Sequence, residues 1–126
     1  MAALSNTEAA ALLNASLRSG AVYLALFLTD PTAAGTGTEA SGGGYARKAV
    51  SFSAPAPAVG RQQVENSAAV EFPAFTADIG TVAYWGVYDA PSGGNLKWFA
   101  PFDRSKVIEA DDNISIKAGG LTIWLA

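Results

Sequence analysis

Cysteine and histidine are both missing from the 126 residues. Their absence excludes disulfides, a Cys nucleophile, a Ser-His-Asp triad and a zinc finger. Charge is scarce as well: Asp, Glu, Lys and Arg make up 15% of the chain, against about 25% in an average globular protein. With hydrophobic residues at 50%, intrinsic disorder is excluded, because it needs low hydrophobicity and high net charge. The 8 basic residues are scattered and the net charge is -3. Phosphate backbones are held by clustered Lys and Arg, so no nucleic-acid partner is expected. No basic amphipathic helix is present, so no membrane partner is expected either. Long apolar runs are lacking too. The longest, Ala21 to Leu28, falls well short of the ~20 residues of a spanning helix, and no Lys or Arg precedes an apolar run near Met1 as a signal peptide requires. The expectation is a soluble single domain over residues 1–126, with a radius of gyration of about 14 Å.

What is present reads first as a helix. Ser5 can cap it, and Glu8 three residues on completes a capping box in which each side chain bonds the other's backbone N–H. Ala9, Leu12, Leu13 and Leu17 form one apolar stripe, Arg18 suits the last turn, and Gly20 suits the position just past the end. These signals predict a helix from about 6 to 19.

The pattern then switches. Val22 to Leu28 is continuous and apolar, as in a strand buried on both faces. Residues 29–44 form a long loop holding Gly35, Gly37, Gly42, Gly43 and Gly44. Loops of this length in small domains usually carry function. Further strands are expected at Tyr45–Ser53 (Val50 and Phe52 inward, Arg47 and Ser51 outward), Ala68–Phe72, Thr81–Tyr88 and from Leu96 to Phe102. Pro101 assigns the last of these to an edge or a bulge, and Ala54–Ala58, with its two prolines, reads as an extended connection. Asn113–Lys117 and Leu121–Leu125 flank Ala118-Gly-Gly120 as a hairpin. The predicted fold class is mainly β: an antiparallel β-sandwich, or an open barrel, over residues 21–126 with one N-terminal amphipathic α-helix.

Chemistry-bearing constellations are weak. Gly35 to Ala40 matches G-x-G-x-x-A but leads to glycines and a strand, not to the helix that a dinucleotide site needs. Glu109, Asp111, Asp112 and Asn113 lack the alternating ligand spacing of a Ca²⁺ loop. Glu71, Asp78, Asp89 and Asp103 sit beside turn signals, which account for them without catalysis. No catalytic residue, metal or cofactor is therefore assigned. Aromatics are the remaining candidates. Strict alternation in Thr81–Tyr88 places Val82, Tyr84 and Tyr88 on one face and Ala83, Trp85 and Val87 on the other, so both faces need cover, from the helix or from another subunit.

Leu4-Ser-Asn-Thr-Glu-Ala-Ala, Val22-Tyr-Leu-Ala-Leu-Phe, Thr29 to Glu39 and Ser41 to Arg47 together resemble a family of small bacteriophage virion proteins, often labelled tail fibre proteins. Phe72-Pro73, Thr76-Ala-Asp78, Gly80 to Asp89, Ser92 to Asn95 and Lys117 to Thr122 extend the likeness over nearly the whole chain. The resemblance implies a non-enzymatic virion structural subunit, made in the host bacterial cytoplasm, whose partners are major capsid or tail proteins and further copies of itself. With no heptad run or β-helical repeat to build a shaft, capsid decoration is narrowly favoured over a tail or tail-fibre module. Gly42, Gly43, Gly44, Tyr45, Arg47 and Trp85 are the candidate subunit contacts, in a loop expected to be mobile until a neighbour orders it. Closure of that loop on its own sandwich is the alternative. The alternative function is a carbohydrate-binding module for host glycans, which requires an exposed, flat aromatic beside polar side chains.

Overall fold

The computed structural model describes residues 3–58 and 60–125. Among these residues one helix, α1 (Asn6–Leu17), precedes nine strands: β1 (Val22–Phe27), β2 (Lys48–Val50), β3 (Ala56–Ala58), β4 (Arg61–Glu65), β5 (Val70–Phe72), β6 (Gly80–Tyr88), β7 (Leu96–Ile108), β8 (Ile114–Ile116) and β9 (Thr122–Leu125). The chain is mainly β, as expected. No helix among the described residues is long and apolar enough to cross a membrane.

Half of the capping box forms: the Glu8 N–H donates to Ser5 Oγ at 3.1 Å. The return bond from Ser5 N–H to the Glu8 carboxylate is absent among the described residues. The helix stops earlier than Gly20 suggests, because Arg18 leaves helical geometry with φ -124° and becomes the C-cap. Asn14 assists this end by accepting from Arg18 Nη1 at 2.6 Å. Ala9, Leu13 and Leu17 are buried, whereas Leu12 is 42% exposed, so the stripe is narrower than its spacing suggests. The helix is fastened to β7 by the Trp98 indole N–H, which donates to Ser16 Oγ at 2.9 Å.

All pairings are antiparallel, in the sheet orders β2-β1-β6-β7, β3-β4-β9 and β5-β8. One core joins them. Leu13 and Leu17 from the helix meet Leu24 and Leu26 of β1, Val64 of β4, Phe72 of β5, Val82, Trp85 and Val87 of β6, and Ile123 of β9. The Pro-containing segment expected as a connection supplies β3, which lies at a sheet edge where a missing N–H costs nothing. Pro101 likewise lies on the edge strand β7.

Three expectations are corrected. First, β6 does not alternate strictly. At the register shift between Val82 and Tyr84, two steps along β6 match five along β7, from Lys106 to Pro101, and past it Trp85 and Val87 share the core face with Val82 while Tyr88 turns away. Second, β8 and β9 form no hairpin: β8 pairs with β5 and β9 with β4. The buried side chain of Asn66 separates them. Its amide N–H groups donate to the carbonyls of Ala68 (3.0 Å) and Lys117 (2.9 Å), and its carbonyl accepts from Leu121 N–H at 2.8 Å. Third, β4 was not expected as a strand at all. Arg61-Gln-Gln-Val-Glu65 has a single apolar residue, and only its pairing with β3 and β9 gives it a place.

Candidate functional site

The glycine-rich loop closes on its own sheet. Phe27 of β1 bridges Glu39, flanked by Leu28 N–H to Thr38 C=O and Ala40 N–H to Leu26 C=O, both at 2.8 Å. The chain then bows outward before rejoining β1 as β2, and glycines make the detour possible. Gly42, Gly43 and Gly44 take φ of +76°, +57° and +78° in succession, a run that residues with a Cβ would resist. Gly43 C=O accepts from Thr76 N–H at 2.9 Å, while nothing approaches the Cβ positions of Gly42 and Gly44 within 4 Å. No helix follows Gly35 to Ala40, so the G-x-G-x-x-A match sits in a loop.

Tyr45 fills the gap left by the detour. Leu26 N–H donates to its phenol oxygen at 3.0 Å, and the phenol donates on to Glu39 Oε2 at 2.7 Å. Its ring stacks on Phe72, with centroids 6.2 Å apart. Arg47 grips the same carboxylate with two bonds of 2.9 Å, from Nε and Nη2. Its Nη1 spans to the carbonyls of Ala90 (3.0 Å) and Gly93 (2.7 Å) on the β6–β7 turn. The guanidinium also lies 3.6 Å from the centroid of the Tyr88 ring, a cation–π contact. The Arg47 side chain is 8% exposed and that of Glu39 25%. This is the one ion pair among the described residues.

The electrostatics follow from that geometry. Burial alone would raise the Glu39 carboxyl, but the bonds from Arg47 and Tyr45 and the guanidinium charge outweigh it and hold it below its ordinary value. Burial first, and then the bond to Glu39, push the Tyr45 phenol well above its ordinary value. Phe27, Ala25, Tyr88, Tyr84 and Leu96 form a second apolar cluster on this face of the sheet. Its cover is the chain's own loop, with Gly35 against Leu96 and Arg47 over Tyr88.

The structure thus brings Gly42, Gly43, Gly44, Tyr45 and Arg47 together, and it adds Glu39, which sequence reasoning passed over although it lies eight residues before a lone Arg. Trp85 lies apart from them, in the core and 5% exposed. Three of the acidic candidates hold turns, whereas Glu71 and Asp103, expected beside turns, lie within β5 and β7. Asp112 accepts from Glu109 N–H, Asp78 from Ala110 N–H and Asp89 from Asn95 N–H, at 2.9, 2.9 and 2.8 Å. Among the described residues no group of acidic side chains is placed to hold a metal ion.

One aromatic does stand in solvent. Trp124 is 49% exposed, opposite Gln63 on the outward face of the β3-β4-β9 sheet, with the Arg61 guanidinium 4.7 Å from its ring centroid. No signal in the sequence separates it from the buried Trp85, because both lie in apolar strands.

No curated protein matches the chain. The family model described as podophage GP4 fiber I protein gp80 does match, over residues 3–124. That span takes in the helix, every strand up to β9, the closed loop and the Arg47 cluster. The chain belongs to the podophage GP4 fiber I protein gp80 family, a family of phage structural proteins.

Proposed function

We propose that this chain is a compact, non-enzymatic module of the podophage fibre, seated on the particle with other virion proteins, and not the capsid decoration subunit that composition and size narrowly favour. The observation that carries this reading is the family match from residue 3 to 124, whose description names a fiber protein. The architecture supports a globular module joined to a shaft, since three small sheets around one core make no repeating axis. Asp78 and Asp89 hold turns, and Glu71 and Asp103 lie on strands of separate sheets, which supports a structural role. Exposed Gly42 and Gly44 remain as loop surface for neighbouring subunits, held in shape from beneath by Tyr45 and Arg47. Gold-labelled antibodies against the chain, applied to purified particles, are expected to mark the tail. Label spread evenly over the capsid would refute the fibre assignment.

A second reading, attachment to a host glycan, is favoured by Trp124. Its indole meets the requirement of an exposed aromatic flanked by polar groups, with Gln63 and Arg61 beside it. The apolar face of a sugar ring can stack on such an indole while its hydroxyls bond the neighbouring amide. Trp124→Ala is expected to abolish retention of the protein on immobilised host polysaccharide while the circular dichroism spectrum at room temperature stays that of the folded chain, because the core residues lie on the other face of the sheet. If wild-type protein is not retained either, this reading fails.

A further inference from the structure

Among the described residues, one of the places where two sheet edges face each other without a ladder is the seam between β7 and β8. β7 is the edge of the four-stranded sheet and β8 the edge of the two-stranded one. β5, the partner of β8, packs beside β2 at the opposite edge of the four-stranded sheet. The two sheets therefore form an incomplete barrel, and among the described residues β7 and β8 share no ladder. A hollow of about 180 Å³ lies in this gap, with Val82, Phe102, Ile114 and Ile116 as its apolar lining and Arg104 and Lys106 beside them. A second hollow of about 430 Å³ shares Phe102 and Arg104, adds the Asp103 carboxylate, and continues to Trp85 and Gly120. The half-buried Phe102 and Ile116 are thus reached from outside between two strand edges whose outward N–H and C=O groups lack a strand partner among the described residues.

Resting on the reading that the chain docks on other virion proteins, we propose that this seam receives an extended segment of a different virion protein. The segment would lie alongside β7 and carry apolar residues at alternate positions, with carboxylates facing Arg104 and Lys106. Strand addition suits the site because the backbone edges supply hydrogen bonds while the two hollows take alternate side chains. Charge selects an acidic segment. Arg104 and Lys106 place two cations on the rim, in a chain of net charge -3. Arg104 has no ion-pair partner among the described residues, and Lys106 Nζ donates only to the Asn113 carbonyl at 2.7 Å. At the first hollow, whose lining holds Arg104 and Lys106 and no acidic side chain, a carboxylate would meet positive charge beside an apolar floor, whereas Asp103 balances Arg104 at the second.

The test uses particles that lack this protein, grown from a nonsense mutant on a non-suppressing host, and the purified full chain added back. Bound copies per particle are counted by quantitative mass spectrometry. Arg104→Glu combined with Lys106→Glu is expected to reduce binding at least about tenfold, with the circular dichroism melting curve unchanged because both side chains are exposed. Ser115→Trp, which fills the seam without altering charge, is expected to do the same. Lys48→Glu, on the far edge strand, should bind as wild type does. Wild-type binding by the double variant or by Ser115→Trp overturns the proposal, as does equal loss in Lys48→Glu. A shift in the solution size of the chain in the double variant would make the occupant a second copy and likewise overturn it. If the chain is missing from purified wild-type virions, the docking reading itself is refuted, which is a separate result.

Discussion

Asn66→Ala is expected to cost about 3–4 kcal/mol of folding stability, the largest loss from any single polar side chain in this protein. The Asn66 residue is 1% exposed, and its amide bonds one carbonyl two residues on and a carbonyl and an N–H of the 117–121 turn. Truncation leaves Ala68 C=O and Leu121 N–H without the partner that replaced water, while Lys117 C=O keeps its bond from Gly120 N–H; each orphaned group costs about 1–3 kcal/mol. Since small domains are stable by only about 5–15 kcal/mol, much of the margin would go. Asn66→Asp should be no better, because a carboxylate cannot donate to two carbonyls. Urea unfolding followed by fluorescence measures the loss. A change under about 1 kcal/mol would show that the 117–121 turn holds itself in place without this amide.

Arg47→Met should destabilise the fold by about 2–4 kcal/mol, toward the lower part of the range for a broken buried ion pair, because Glu39 keeps a quarter of its side chain in water. The substitution preserves bulk over Tyr88 but strands the Glu39 carboxylate and the Ala90 and Gly93 carbonyls. It also has a pH signature. In the wild type the Glu39 carboxyl is held below its ordinary value of 4.5, so its contribution is present above that pH and is lost as pH falls toward the depressed folded value. Without the guanidinium, burial dominates and protonation relieves the buried charge, so the gap between variant and wild type should narrow below about pH 4. At the alkaline end, the Tyr45 phenol keeps its proton in the folded state well above its ordinary value of 10.0. The unfolded chain ionises first, and wild-type stability should decline above about pH 10. With no His or Cys in the chain, no side chain titrates between, and the melting temperature should be flat from about pH 6 to 9. A gap that stays constant with acidification would show that Glu39 does not depend on Arg47.

The largest elements were legible because they follow from local chemistry. Ser5 and Glu8 mark the helix start by capping, β1 is apolar on both faces, and Pro101 assigns β7 to an edge or a bulge. Each is a property of neighbouring residues, and each survived into the tertiary structure. The function class came from a different source: the likeness carried by residues 29–47, which the family match over residues 3–124 bears out at the level of a phage structural protein.

Long-range pairing decided the remainder. The bulge near Ala83 cannot be read from β6, because the register it breaks belongs to β7. Nothing in Arg61–Glu65 announces a strand, since β4 is made by its partners on either side. Ala118-Gly-Gly120 has the composition of a hairpin loop, yet Asn66, more than fifty residues earlier, draws the flanking segments into different sheets. Tyr45 and Arg47 were legible as anchors by residue type. What they anchor depends on Glu39 and on the Ala90–Gly93 turn, which only the folded chain brings within hydrogen-bonding distance. Sequence therefore determined the residue classes, the helix, the edge strand β7 and the absence of His and Cys chemistry. The tertiary structure determined which glycine-rich stretch closes on which strand and where the barrel stays open, because those choices are settled by contacts between residues far apart in the chain.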